Sequence, residues 1–196
     1  MDSRSVRSRS ARSSWWFSRL WWESWVDFEG AVRYALDHGA DQVVPIGYSM
    51  GGAITLSFLY ESDLADEVRA VILDSPALEL GAMVDARAAE TDIPLLGFKV
   101  PTPLTATAKT VAGWRLDLDW GDLDYLSRVD ELDTPILLFH GTEDGTVPVS
   151  ISDALAEARP DLVTYERVEG ADHVRAWNVD RARYEAAVSA FLDGHL

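Results

Sequence analysis

A serine, an aspartate and a histidine, each in a loop that carries glycine, could together activate a hydroxyl for attack on an acyl carbonyl. Gly47-Tyr48-Ser49-Met50-Gly51-Gly52 follows a short apolar run and opens a helical pattern. A nucleophile on a sharp strand-to-helix turn leaves little room beside the backbone. Small residues are therefore expected two before and two after it, at Gly47 and Gly51. Such a turn lifts the Ser49 hydroxyl above the sheet edge. It also aims the backbone N–H of Met50, at the helix N-terminus, into the same space. The other reading of these residues is a glycine-rich helix start capped by a serine.

The hydroxyl needs a base, and the base needs a carboxylate to orient it. Phe139-His140-Gly141-Thr142-Glu143-Asp144-Gly145-Thr146-Val147-Pro148 places Asp144 in a loop where Gly145 is expected to let the chain turn. Glu169-Gly170-Ala171-Asp172-His173-Val174 places His173 in a second such loop. Ser49, Asp144, His173 is the chain order expected when nucleophile, acid and base come from successive strands. Asp74, after another apolar run, is the competing acid. Glu143 and Asp172 read as solvated loop charges, and His140, at a strand end, as a buried and satisfied histidine. His38 and His195 lie beside helix termini. No histidine has metal-ligand spacing, so no metal is proposed.

The elements that must position these loops are legible as patterns. Trp25, Phe28, Val32 and Ala35 mark one face of a helix ending near Gly39. The run from Val43 to Gly47 reads as a short buried strand, and the run from Ser49 to Tyr60 as a helix. Further strands are expected from Ala70 to Asp74, from Pro135 to Phe139 and from Val163 to Val168. Helices are expected at about residues 151–158 and over the stripe Tyr184, Val188, Phe191 and Leu192. Strands alternating with helices imply a parallel sheet covered on both faces. Residues 79–128 carry no strand signal and read as a helical or irregular insertion.

Composition narrows the class. The chain has 196 residues and a formal charge of −16, which argues against a nucleic-acid partner. Hydrophobic residues make up 47% of the chain, too much for disorder, and cysteine is absent, which excludes thiolate chemistry. Lys99 and Lys109 are the only lysines, and so carboxylate-rich a chain fits adaptation to high salt or a coding bias toward arginine. Residues 1–24 form an Arg/Ser-rich and then Trp-rich leader, expected to be disordered, with no cleavage site behind its broken apolar stretch. Tryptophans between residues 15 and 25 could suit a membrane surface, yet membrane contact is not expected and the expected location is cytoplasmic.

The motifs Gly-Tyr-Ser-Met-Gly-Gly, His-Gly-Thr-Glu-Asp-Gly-Thr-Val-Pro and Gly-Ala-Asp-His-Val resemble those of the α/β-hydrolase superfamily. The likeness is to its serine-aminopeptidase-like and small-esterase branch, over about residues 23–196. It implies that Ser49, Asp144 and His173 are nucleophile, acid and base. It implies no cofactor and a small-molecule acyl substrate, cleaved through an acyl-enzyme held at the Met50 N–H. Serine rather than aspartate at position 49 speaks against dehalogenase chemistry. The expected architecture is a partial α/β-hydrolase fold, a mostly parallel sheet with about four recognisable strands, flanked by helices, over residues 25–196. The insertion at about 79–128 would be the family's cap. There Leu95, Leu96, Phe98, Val100, Leu104 and Trp114 would either face an apolar substrate or pack as core.

The family's first four strands would precede Trp25 and have no counterpart in the sequence. Two expectations follow. The second oxyanion donor is unassigned, a loss worth on the order of 10²–10³ in turnover. The strand from Val43 to Gly47 becomes an apolar edge that could recruit a second copy, an edge position that Pro45 tolerates. A truncated hydrolase of marginal stability is expected. The alternatives are an impaired scaffold that binds a partner or is inert, and a serine peptidase or thioesterase.

Overall fold

The structure, a computed structural model, describes residues 24–93, 97–116 and 118–196. The expected leader at residues 1–24 falls outside it except for Ser24, as do Leu95 and Leu96 of the insertion. In chain order the elements are α1 (Ser24–Asp37), β1 (Ile46–Tyr48), α2 (Met50–Glu61), β2 (Val71–Asp74), α3 (Leu80–Glu90), α4 (Thr102–Leu116), β3 (Ile136–Gly141), α5 (Val149–Ala158), β4 (Val163–Val168), α6 (Ala176–Val179) and α7 (Arg181–His195). The four strands form one parallel sheet in the order β1-β2-β3-β4. That is the expected architecture, with α3 and α4 as the helical insertion between β2 and β3.

Alternation along the central strands divides the core in two. Val71, Leu73, Ile136 and Leu138 point to the face covered by Leu56 and Phe58 of α2 and Ile151 and Leu155 of α5. Ile72, Leu137 and Phe139 point to the opposite face, covered by Tyr184 and Phe191 of α7. Because helices cover both faces, every residue of β2 and β3 is buried. That is why these strands read as continuous apolar runs rather than as alternating ones. Phe139 and Tyr184 stack with centroids 4.0 Å apart, locking α7 onto β3. The stripe on α1 docks through Val32, and Phe28 meets Phe58 edge-on at 5.0 Å. Gly39, at φ +96°, ends that helix as the sequence suggests.

β1 departs from expectation. It is three residues long and starts after Pro45, with Ile46 about half exposed instead of buried and Tyr48, beyond the expected run, equally so. Val43 bridges Val68, while Ile46 pairs with Ile72. The chain thus advances three residues on one side and four on the other, an irregularity opposite Pro45, whose carbonyl accepts from the Ile72 N–H at 2.9 Å. Among the described residues β1 pairs with β2 alone, so it is the sheet edge. Its residues Ile46 and Tyr48 stay about half exposed there.

Candidate active site

Ser49 is the single residue between β1 and α2, and it stands at φ 50°, ψ −117°. A non-glycine residue holds such a conformation only where its surroundings over-determine it. Here the Ser49 N–H donates to Asp74 O at 3.0 Å. Its carbonyl accepts from the N–H groups of Gly52 and Ala77, both at 3.0 Å. A Cβ on Gly47 would lie 2.8–2.9 Å from the backbone of Gly51 and Gly52, so glycine is required there. The matching expectation for Gly51 is corrected: a Cβ there would meet nothing within 4 Å. The second crowded position is Gly52, where a Cβ would sit 2.5 Å from the Pro76 Cβ. Successive helical residues point about 100° apart, so Gly52 faces the β2 loop while Gly51 faces away.

Asp144 follows β3. Its Oδ1 accepts from the backbone N–H groups of Thr146 and Val147, both at 2.8 Å. These bonds, and not a left-handed Gly145, make the turn, because Gly145 is absent from the positive-φ residues. The carboxylate side chain is fully buried, and its second oxygen, Oδ2, is aimed at the loop after β4. Gly170, at φ +74°, turns that loop and brings His173 over the sheet edge.

The three loops meet. His173 Nδ1 lies 2.8 Å from Asp144 Oδ2, and His173 Nε2 lies 2.9 Å from Ser49 Oγ. A carboxylate oxygen only accepts, so Nδ1 carries the hydrogen and the Nε2 lone pair faces the serine hydroxyl. The His173 side chain is 22% exposed, which leaves the Ser49 end of the chain open to an incoming molecule. Helix α2 starts at Met50, whose amide, in the first turn, has no carbonyl within the helix to bond.

Asp144 and Asp74 are separated by their surroundings. Burial works to raise the Asp144 carboxyl. Hydrogen bonds from His140, the Val147 N–H, His173 and the Thr146 N–H outweigh it and hold the group well below the usual carboxylate range. Asp74 is also buried, but among the described residues its side chain has only a long contact from the Ser75 hydroxyl, at 3.3 Å. Burial pushes it up to about 6. The carboxylate that meets His173 is therefore Asp144 and not the competing Asp74. His140 is buried, as expected. Its Nε2 donates to Val147 O at 3.0 Å with Asp144 Oδ2 at 3.3 Å, and Nδ1 faces Ser152 Oγ at 2.6 Å. Glu143 and Asp172 are exposed. His38 and His195 each bond a carbonyl one turn back, at 2.7 Å. Among the described residues no three His, Asp or Glu side chains cluster as metal ligands would, and no helix is long and apolar enough to cross a membrane.

No protein-family model and no curated protein matches the chain. Solved structures do. The chain is similar to the Pyrococcus furiosus esterase Pf2001, with a TM-score of 0.65 and 20% identity over 92% of this chain and 65% of that one. It is similar to a Mycobacterium tuberculosis puromycin-hydrolyzing peptidase, with a TM-score of 0.63 and 24% identity over 90% of this chain and 26% of that one. It is similar as well to MGS-MChE2, an alpha/beta hydrolase enzyme from a lagoon-sediment metagenome. There the TM-score is 0.55 with 13% identity, over 85% of this chain and 68% of that one. The chain has the α/β-hydrolase fold. Within it, the described part of this chain supplies a four-stranded parallel sheet with helices on both faces, and it spans 65% of the length of the Pf2001 esterase.

Three features around these loops lack a clear counterpart in the sequence patterns. Ser75 and Val174 stand at φ 50° and 53°, and Gly141 packs directly on Ala171. The turn dipeptide Ser75-Pro76 at the end of β2 was the one local sign of the first. Nothing local marks the other two.

Proposed function

We propose that this chain is a serine hydrolase acting on ester-type acyl substrates. The observation that carries the reading is the unbroken hydrogen-bonded line from Ser49 Oγ through His173 to the buried Asp144 carboxylate. In the proposed mechanism Ser49 Oγ attacks the acyl carbon while His173 Nε2 takes the hydroxyl proton. The Met50 N–H receives the oxyanion. Collapse of the tetrahedral adduct breaks the acyl–oxygen bond, and the proton held by His173 leaves with the alcohol. Water then gives a proton to His173 and attacks the acyl-enzyme, releasing the acid and restoring Ser49. Asp144 fixes the imidazole tautomer and stabilises its positive form throughout. No step calls for a cofactor.

The likeness to the Pf2001 esterase supports the same chemistry. Such an enzyme would act in the cytoplasm. A peptidase reading has one observation in its favour, the likeness to the puromycin-hydrolyzing peptidase. Parallel assays with p-nitrophenyl butyrate and an alanine p-nitroanilide separate ester from amide preference. For either substrate, Ser49→Ala is expected to lower turnover by at least about 10³-fold. A variant as active as the native chain would end the proposal.

A further inference from the structure

Among the described residues three non-glycine positions hold positive φ: Ser49, Ser75 and Val174. One is the proposed nucleophile, one directly follows the proposed base, and Ser75 lies between them in space. The backbone around Ser75 grips the nucleophile turn, since Asp74 O accepts from the Ser49 N–H and the Ala77 N–H donates to Ser49 O. The Ser75 hydroxyl grips the other loop, accepting from the Val174 N–H at 3.2 Å. Its own hydrogen points to Asp74 Oδ1 at 3.3 Å, and the Ser75 N–H is committed to Phe139 O at 2.9 Å. Ser75 is wholly buried, and Val174 on the other side of this bond is half-buried.

We infer that Ser75 is a positioning residue, whose hydroxyl ties the His173 loop to the Ser49 turn and so sets the distance between base and nucleophile. This rests on the serine-hydrolase reading for its catalytic consequence. A small residue of any kind would fit the cramped turn before Pro76, but only an acceptor can take the Val174 N–H. Val174 is β-branched and is held at φ 53°, a conformation that persists only under constraint. Once the hydroxyl is removed, residue 174 is free to relax and carry the adjacent imidazole with it. A displacement on the order of 1 Å is enough to lower turnover about 10²-fold.

The test compares the native chain with Ser75→Ala and Ser75→Gly by amide hydrogen exchange and by ester hydrolysis. Ser75→Ala removes the hydroxyl and keeps the cost of positive φ, whereas Ser75→Gly removes both. The expected result is exchange at Val174 at least about tenfold faster in both variants, with the amides of β3 still protected. Turnover is expected to fall about 10- to 100-fold in both, with KM within about twofold of native. Rapid Val174 exchange in the native chain would overturn the inference even if neither variant folds. So would unchanged Val174 exchange in the variants, or full activity in Ser75→Gly. If the native chain shows no Ser49-dependent turnover, the hydrolase reading falls, while Val174 exchange still decides whether the tie exists.

Discussion

Gly141 at the end of β3 lies against the backbone of Ala171 so closely that a Cβ on residue 141 would overlap the Ala171 carbonyl group. The same two loops are sewn together by three further bonds. The Glu143 N–H donates to Ala171 O at 3.0 Å, the Thr142 N–H to Val168 O at 3.0 Å, and the Gly170 N–H to Thr142 Oγ1 at 2.9 Å. The Asp144 loop and the His173 loop therefore behave as one body. This fixes the Asp144–His173 distance before any substrate arrives.

Gly141→Ala tests that body. Backbone cannot yield as a flexible side-chain tip can, so the added methyl is expected to cost on the order of 1–3 kcal/mol and to part the loops. Urea unfolding should show the lower midpoint. Ester turnover by the fraction that remains folded should fall further than the stability loss explains. Native-like activity in Gly141→Ala would show that the two loops do not need this contact.

The nucleophile turn gives a paired prediction at Gly47 and Gly51. Gly47→Ala places a methyl against the backbone of α2 and is expected to unfold the turn and abolish activity. Gly51→Ala places its methyl in open space on a helix. Removing backbone freedom from the unfolded chain is expected to raise stability by about 0.4–1 kcal/mol. Thermal unfolding of the two variants decides it, and equal damage at both positions would contradict the packing described.

Asp74 and Asp144 should respond to pH in opposite senses. The folded chain raises Asp74 from 3.8 to about 6. Its contribution to stability is therefore fully present below about pH 4 and is lost as pH rises through about 6. Asp74→Asn is then expected to be more stable than the native chain at pH 8 by on the order of 1–3 kcal/mol, with the difference gone near pH 4. Asp144 is held below its ordinary value, so its contribution is present above about pH 4 and is lost as pH falls toward its depressed folded value. Asp144→Asn should be the less stable chain at pH 8. Urea midpoints across pH 2–8 check both signs.

The sheet, its helices and the three converging loops were legible because each is announced locally. Continuous apolar runs such as Val71-Ile72-Leu73 mark strands buried on both faces, and the Gly-Tyr-Ser-Met-Gly turn and the Asp144 and His173 loops stand directly after strands. The errors came where a contact across the chain decides the outcome. Gly51 and Gly52 are indistinguishable in sequence, and only the position of Pro76 makes the second one the crowded glycine. Gly145 marks the turn after β3 in the sequence, but nothing local shows that the Asp144 side chain braces it through the Thr146 and Val147 N–H groups. Ile46 reads as core within the apolar run Val43–Gly47, but at an edge with one neighbour among the described residues it stays half exposed.

The most direct measurement is covalent labelling of the native chain by a fluorophosphonate, followed by peptide mass analysis. A single adduct on Ser49 Oγ is expected, formed slowly or not at all in His173→Ala. A folded chain that takes up no label, or takes it up at another serine, would contradict the proposed mechanism.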